Sequence, residues 1–192
     1  MGVQLRSRSR DKTAKWGMAH ENFSSSEEST HEQIQGENHD YFFFDNRGIV
    51  HKEFVPPRQT VNHAFYKDVL ERLRKRVQRV RRDIADDWVQ QHNNAPAHTP
   101  LSIREFLVKK NIPVLPHPPY SPDLAPCNFC LFPKLKSKLK GHFGTMENIQ
   151  KIVTDELNTF TKNDFQYCYD HWKKRWNHCV TSQGSYFEGH NL

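Results

Sequence analysis

The sequence has no long apolar run, and this absence excludes two classes of protein. No segment approaches the roughly 18 consecutive apolar residues that a membrane-spanning helix needs. No apolar stretch follows the basic residues between Arg6 and Lys15, so we expect no secretory signal peptide. Only four cysteines occur in 192 residues, and without secretion we expect them to be reduced thiols. These absences predict a nuclear or cytoplasmic protein that does not associate with membranes.

Apolar residues are also scarce, at 35% of the chain, and the mean hydropathy is −0.88. A core can still form because 13 Phe, 6 Tyr and 4 Trp each bury a large area. The formal net charge is +6. Residues 1–40 hold five Lys/Arg and seven Asp/Glu, a net −2, so residues 41–192 carry +8. This distribution favours an anionic partner, with nucleic acid first.

The composition and the apolar patterning of the sequence change near Tyr41. Residues 1–40 are polar and have almost no apolar periodicity, which predicts a disordered tail. From Tyr41, two β-rich runs around the turn DNRG predict a β-hairpin. After Asn62, apolar residues recur at three- and four-residue spacing, which predicts a helix. Residues 41–192 are therefore expected to form the folded part.

The rest of the chain alternates between predicted strands and helices. Residues 87–91 and the segment IPVLPH are expected to be extended, and they flank a helix capped by Thr99 with Pro100 at its first position. The prolines of PPYSPDLAPC predict an extended loop. Three further helices are predicted at about 127–140, 146–160 and 163–182. The order indicates an α/β fold, and no internal repeat is present.

Three segments of the chain resemble the catalytic domain of mariner-family transposases. They are HNNAPAHT at 92–99, LPHPPYSPDLAPCNFCLFPKLKSKLKG at 115–141, and the ending WKKRWNHCVTSQGSYFEG. The Pro-rich motif is very specific, and the resemblance covers residues 41–192. It implies an RNase H-like fold, in which helices flank a mixed five-stranded sheet. The same domain also occurs fused to a SET methyltransferase module.

The resemblance also implies where a metal site would lie. The family cuts and joins DNA with three acidic residues that hold two divalent metal ions. The second acid follows the His of an H-D-N-A motif, and that position is Asn93. The third acid lies 34 intervening residues later, at Asn128. An amide contributes no negative charge, so we expect the ancestral Mg²⁺ or Mn²⁺ site to be lost, with no cofactor and no enzymatic activity.

The family's first acid lies on the opening strand of the sheet, in a segment resembling D-E-x-W. Residues 1–40 contain no such segment. Asp45 is interpreted as a turn former in the hairpin, and Asp40 as a residue of the wrong strand. We therefore expect a truncated sheet that lacks its opening strand, with unpaired backbone groups that cost about 1–3 kcal/mol each. The family's helix-turn-helix domains are missing from these residues too, so we expect no recognition of terminal repeats.

Two runs of basic residues are candidates for contact with nucleic acid. On the first predicted helix they include Arg72, Arg76 and Arg79, for which a solvated face and a phosphate-binding face are both open. The second run is Lys134, Lys136, Lys138 and Lys140. In the family this helix borders the DNA channel, which favours phosphate contact. Such binding to DNA or another nucleic acid should be weak, salt-sensitive and independent of sequence.

Other chemistry-bearing residues have simpler interpretations. Cys127 and Cys130 form a C-x-x-C, but a zinc site needs two more closely spaced ligands, so incidental thiols are favoured. His92, His98 and His117 lie in the motif loops, where they could approach the former metal site.

Four hypotheses follow from the sequence. The first is a catalytically inactive, transposase-derived fragment that binds DNA. The others are a residual metal-dependent nuclease, a non-functional relic of a decayed transposable element, and a protein-interaction module, since transposases form homodimers.

Overall fold

The computed structural model describes residues 17–18, 40–139 and 145–183. Within these ranges, five helices flank a mixed five-stranded sheet with the order β3-β2-β1-β4-β5. The strands are β1 (Gly17–Met18), β2 (Asp40–Asp45), β3 (Gly48–Phe54), β4 (Gln90–Gln91) and β5 (Val114–Leu115). The helices are α1 (His63–Val80), α2 (Leu101–Lys109), α3 (Phe132–Leu139), α4 (Met146–Thr159) and α5 (Lys162–Thr181). The predicted α/β architecture with a mixed sheet is confirmed.

The prediction that the sheet lacks its opening strand is wrong. The two residues of β1 lie at the centre of the sheet, antiparallel to β2 and parallel to β4. Strand pairing uses backbone N–H and C=O groups, which any extended segment supplies, so this strand needed no β-rich run. Neither Gly17 nor Met18 is acidic. The predicted disorder of residues 1–40 otherwise falls almost entirely outside the described residues.

The β2–β3 hairpin separates two hydrophobic layers. Successive side chains of a strand point to opposite faces of the sheet. Tyr41 and Phe43 therefore join a core cluster with α1 and α2, while Phe42 and Phe44 join a second cluster with α3, α4 and α5. All four rings are at most 2% exposed. The sheet is thus covered on both faces, and α1 and α3 lie on opposite sides of it.

The ends of the helices follow local chemistry, with one exception. Asn62 caps α1 by accepting the N–H of Phe65 at 3.0 Å, and Thr161 with Asp164 forms a reciprocal capping box at α5. The predicted capping of α2 by Thr99 is wrong. The helix begins at Leu101, and Pro100 occupies its cap position without a side-chain hydrogen bond. None of the described helices is both long enough and apolar enough to cross a membrane.

Asp45 has a larger role than the predicted turn former. It ends β2, and its side chain accepts the backbone N–H of Arg47 at 2.9 Å, as a turn-forming Asp does. The carboxylate is also buried and accepts two hydrogen bonds from Arg81, at 2.6 Å and 3.0 Å. This ion pair ties the hairpin to the end of α1.

Candidate functional site

The motif residues gather at one edge of the sheet because β4 and β5 are parallel neighbours. Asn93 follows β4 by two residues, and His117 follows β5 by two residues. The Gln91 side chain contacts Nδ1 of His117 at 3.1 Å, which joins the ends of the two strands. We call this the carboxyl edge. Because β1 is parallel to β4 and antiparallel to β2, the start of β2 at Asp40 lies at the same edge.

Asn93 uses its side chain to shape the loop after β4. Its Oδ1 accepts the backbone N–H of Ala95 at 3.0 Å, an arrangement in which a carboxylate serves equally well. The next residue, Asn94, donates from Nδ2 to the carbonyl of His117 at 2.8 Å. These two amides fix the loop after β4 against the segment that follows β5.

Asn128 lies on a π-helical turn, Cys127–Leu131, that leads into α3. Its Nδ2 donates to the carbonyl of Pro122 at 3.1 Å, which secures the Pro-rich loop. Trp172 of α5 secures the same loop by donating from Nε1 to the carbonyl of Leu124 at 2.9 Å. Single π-helical turns such as Cys127–Leu131 occur often at functional sites. The Asn128 side chain acts as a hydrogen-bond donor here, which an ionised carboxylate cannot do.

A stacked aromatic cluster supports the carboxyl edge from the α1 side. The Tyr66 hydroxyl contacts Nδ1 of His92 at 3.1 Å and accepts from Nε2 of Gln90 at 3.0 Å. The His98 ring stacks on Tyr66 at 3.8 Å and on His92 at 5.0 Å, measured between ring centroids. Burial lowers the pKa of His92 to about 4, so the ring is neutral near pH 7. His98 is therefore packed inside this aromatic cluster.

The three histidines do not form a single group. His92 and His98 stack together, whereas His117 lies beyond Gln91, toward the Pro-rich loop. Burial lowers the pKa of His117, opposed by the Ser121 backbone and the charge of Asp123. In the part of the chain that the structure describes, no group of three or more His, Cys, Asp or Glu side chains is arranged to hold a metal ion.

Asp40 is a carboxyl group at the carboxyl edge that sequence reasoning set aside. It begins β2, opposite Phe54 of β3, and so lies on a different strand from β1, as predicted. Burial raises its pKa to about 6, and a hydrogen bond from the Val55 backbone opposes that rise. Among the described carboxyl groups at this edge, Asp40 has the pKa that departs most from its ordinary value. Only the raised pKa, which depends on packing, distinguishes it from an ordinary strand residue.

The cysteines of the C-x-x-C are buried thiols. Cys127, Cys130 and Cys168 all lie in the core cluster of α3, α4 and α5. Burial raises the pKa of Cys127 to about 12 and also raises that of Cys168. A hydrogen bond with Cys168 lowers the pKa of Cys130. The structure therefore places these three thiols in the core.

Two of the three predicted basic residues of α1 are already engaged by β3. Arg72 forms a bidentate ion pair with Glu53, with its Nε at 2.9 Å from Oε2. Arg76 donates from Nε to the carbonyl of Val50 at 3.2 Å. Arg79, in contrast, is exposed to solvent. Part of the positive charge of α1 therefore holds the hairpin, and the phosphate contacts predicted for α1 stay a prediction.

The lysines of α3 also differ from one another. Lys134 forms an ion pair with Asp164 at the start of α5 and lies 5.0 Å from the centre of the Phe160 ring. The hydrogen bond from Lys134 contributes most to lowering the pKa of Asp164 to about 2. Lys136 and Lys138 are exposed, and Lys140 lies outside the described residues. The predicted phosphate contacts of these lysines stay predictions.

No protein-family model matches the chain, but individual proteins do. The mariner Mos1 transposase of Drosophila mauritiana is 34% identical over 151 residues, which are 76% of this chain and 44% of that protein. The human histone-lysine N-methyltransferase SETMAR is 27% identical over 144 residues, 73% of this chain and 21% of the enzyme. The chain therefore spans less than half the length of either relative.

Solved structures agree with the relatives. A structure of the Mos1 transposase catalytic domain with Raltegravir and Mn matches 84% of this chain and 82% of its own, with a TM-score of 0.75 and 30% identity. The Mos1 paired-end complex with left transposon end matches 97% of this chain and 55% of its own, with a TM-score of 0.75 and 28% identity. The sheet, its two helical layers and the carboxyl edge define an RNase H-like domain. The chain belongs to the mariner family of transposases and corresponds to its catalytic domain.

Proposed function

We propose that this chain is a catalytically inactive, transposase-derived domain that binds DNA weakly and without sequence preference. The observation that carries the proposal is the chemistry of Asn93 and Asn128, the two positions that match the family's second and third acids. Both side chains are uncharged, and both make hydrogen bonds to backbone groups of neighbouring loops. The exposed lysines and arginines supply the binding.

The donor set at the carboxyl edge does not suit a pair of divalent cations. Hard dications such as Mg²⁺ prefer anionic oxygen ligands. The Asn93 Oδ1 already accepts a hydrogen bond, and the Asn128 Nδ2 donates one. His92 Nδ1 contacts the Tyr66 hydroxyl. No anionic oxygen therefore stands at either position to fix a metal ion or its attacking water, and we assign no hydrolytic step to this edge.

Nucleic acid is the partner that the charge distribution favours. Residues 41–192 carry the positive charge of the chain, and α3 has three lysines and no acid. The similar Mos1 structure is a complex with a transposon end, which supports DNA as the ligand here. Contacts between lysine and phosphate neutralise charge without reading bases, so the affinity should be independent of sequence.

Two measurements on the full chain test the two halves of this proposal. Retention of a fluorescent duplex at about 50 mM salt, with a steep loss toward 200 mM, tests binding. Incubation of supercoiled plasmid with Mg²⁺ or Mn²⁺ tests inactivity, and we expect no nicked product. An absence of retention would refute the binding function. Nicking that a further Asn93→Ala change abolished would establish the residual nuclease instead.

A cooperative thermal transition, followed by far-UV circular dichroism, should accompany these assays. The two buried clusters on either side of the sheet predict such a transition. A coil spectrum with no transition would favour the remaining interpretation, a relic of a decayed element without a function.

A further inference from the structure

Two core thiols, Cys130 and Cys168, lie against each other where the chain enters α3. Cys130 belongs to the π-helical turn Cys127–Leu131, and Cys168 belongs to the second turn of α5. The two side chains are hydrogen-bonded to each other, and Cys168 Sγ also lies 3.9 Å from the carbonyl oxygen of Pro126. Two thiols that are distant in the sequence are therefore in direct contact in the fold.

The packing of α5 fixes the register of this contact independently. Trp172 donates from Nε1 to a carbonyl of the Pro-rich loop at 2.9 Å, and Asp164 pairs with Lys134 of α3. As the chain advances from that loop into α3, its partners on α5 recede from Trp172 to Asp164, so the two segments are antiparallel. Cys130 lies one turn before Lys134, and Cys168 lies one turn after Asp164. The two thiols are therefore opposite each other, with a contact on either side that holds them there.

The two thiols have different surroundings, which sets the order in which they react. Cys130 is 9% exposed, whereas Cys168 is 1% exposed. The hydrogen bond from Cys168 and the charge of Lys134 lower the pKa of Cys130 against the effect of burial, and burial raises the pKa of Cys168. The thiolate is the reactive form of cysteine. A small oxidant from solvent therefore meets Cys130 first, with Cys168 directly behind it.

We propose that Cys130 and Cys168 form an oxidation site, at which a peroxide converts the two thiols into a disulfide between the Cys127–Leu131 turn and α5. The site does not depend on the proposed DNA binding. The new bond fastens the turn that carries Asn128 to α5, and a thiol reductant reverses it by exchange. The domain would then have a reduced form and a stapled form.

The reaction takes two steps and one molecule of hydrogen peroxide. The Cys130 thiolate attacks one peroxide oxygen, the O–O bond breaks, and the departing hydroxide takes up the proton that the Cys130 thiol released. The Cys168 sulfur then attacks the sulfur of the Cys130 sulfenic acid, the S–O bond breaks, and the departing hydroxide takes up the Cys168 proton. The two thiols lose one electron each, and the peroxide is reduced to water.

The other two cysteines are not placed to replace Cys130. Cys127 is fully buried, and burial raises its pKa to about 12, so it stays a protonated thiol that solvent does not reach. Cys179 lies on the same helix as Cys168, about 16 Å further along its axis. That separation is too long for a disulfide.

Mass spectrometry of the full chain tests the site. The native chain is treated at about pH 8 with about a tenfold excess of hydrogen peroxide. The remaining thiols are blocked with N-ethylmaleimide, and the protein is digested with trypsin without reduction. The variants are Cys130→Ala and Cys168→Ala, and the matched controls are Cys127→Ala and Cys179→Ala. Circular dichroism measures the thermal transition of each protein before and after oxidation.

The wild type and both controls should yield a peptide in which Cys130 is cross-linked to Cys168, with a loss of about 2 Da from the chain. Their Tm should rise by about 5 °C or more, because the bond closes a loop of about 40 residues. Dithiothreitol should reverse both changes. Cys168→Ala should instead accumulate the Cys130 sulfenic acid, which dimedone captures. Cys130→Ala should form no cross-link.

Three results would overturn the inference. One is a cross-link through Cys127 or Cys179, and another is dimedone capture at Cys168 in preference to Cys130. The third is a folded wild type in which Cys130 and Cys168 stay uncoupled after oxidation. The wild-type digest decides the matter even where a core variant does not fold, because fragmentation of the cross-linked peptide shows which of Cys127 and Cys130 is bonded. Retention of DNA is measured separately, so failure here leaves the proposed function standing.

Discussion

Replacing Asp40 by Asn should stabilise the fold at neutral pH and remove part of its pH dependence. Asp40 begins β2 at the carboxyl edge, and burial raises its pKa from 3.8 to about 6. At pH 7 the Asp40 carboxylate of the folded protein is therefore ionised although it is partly shielded from water. An asparagine has nearly the same shape, carries no charge, and its Oδ1 can still accept the Val55 N–H that bonds to the Asp40 carboxylate.

The size of the effect follows from the shift in pKa. A rise of about 2 units corresponds to roughly 3 kcal/mol. The folded state binds the proton more tightly than the unfolded chain, so the free energy of unfolding falls as pH rises from about 4 to about 6. Above about pH 6 the full cost is present, and below about pH 4 it is absent. The Asn variant should therefore gain up to about 3 kcal/mol at pH 7 and almost nothing at pH 3.5.

Urea denaturation of the full chain at several pH values between 3.5 and 7.5 measures the effect. The matched control is Asp86→Asn, which removes one exposed carboxylate from a loop. We expect the Asp40 variant to show a flatter dependence of unfolding free energy on pH, and the control to follow the wild type. If the Asp40→Asn variant and the wild type lose stability in parallel between pH 4 and 6, the half-buried Asp40 carboxyl is not the source of this pH dependence.

Two further predictions concern Asn93 with Asn128 and the thiols. Asn93→Asp should change the unfolding free energy by less than about 0.5 kcal/mol, because a carboxylate also accepts the Ala95 N–H. Asn128→Asp should lower the unfolding free energy by about 1 kcal/mol, because the variant loses the donor to the Pro122 carbonyl. Equal effects in urea denaturation would contradict this asymmetry. Alkylation of the native chain at pH 8, read by mass spectrometry, should modify half-buried Cys179 and spare Cys127, whose pKa burial raises to about 12. Early modification of Cys127 would show that its core opens.

The sequence predicted best those elements whose local and tertiary signals agree. The hairpin has four consecutive aromatic residues and an Asn-containing turn, and both layers of the core bury those rings. Helix α1 combines an Asn62 cap with an apolar stripe that packs on the sheet. The Pro-rich motif located the loop before α3, because proline restricts the backbone wherever the loop lies.

The features that sequence reasoning missed depend on contacts between distant segments. Strand β1 is held by backbone pairing to β2 and β4 and carries no side-chain signal of its own. The sequence leaves a solvated face or a phosphate-binding face open for Arg72 and Arg76, but it does not show that they bond to Glu53 and Val50 of β3. Asp45 was interpreted as a turn residue, but its buried carboxylate also pairs with Arg81, which lies 36 positions away. A single sequence gives no spacing rule for such pairs.

The two amides at the carboxyl edge are not equivalent, because one accepts a hydrogen bond and the other donates one. At Asn93 the side chain acts as an acceptor, so the loop would be held equally by the acid found in the family. At Asn128 the side chain donates to the Pro122 carbonyl, and an acid there would bring two oxygens together. A return to the family's acids therefore meets no structural cost at Asn93 but disturbs the Pro-rich loop at Asn128. The amide at Asn128 is thus part of the packing of this loop.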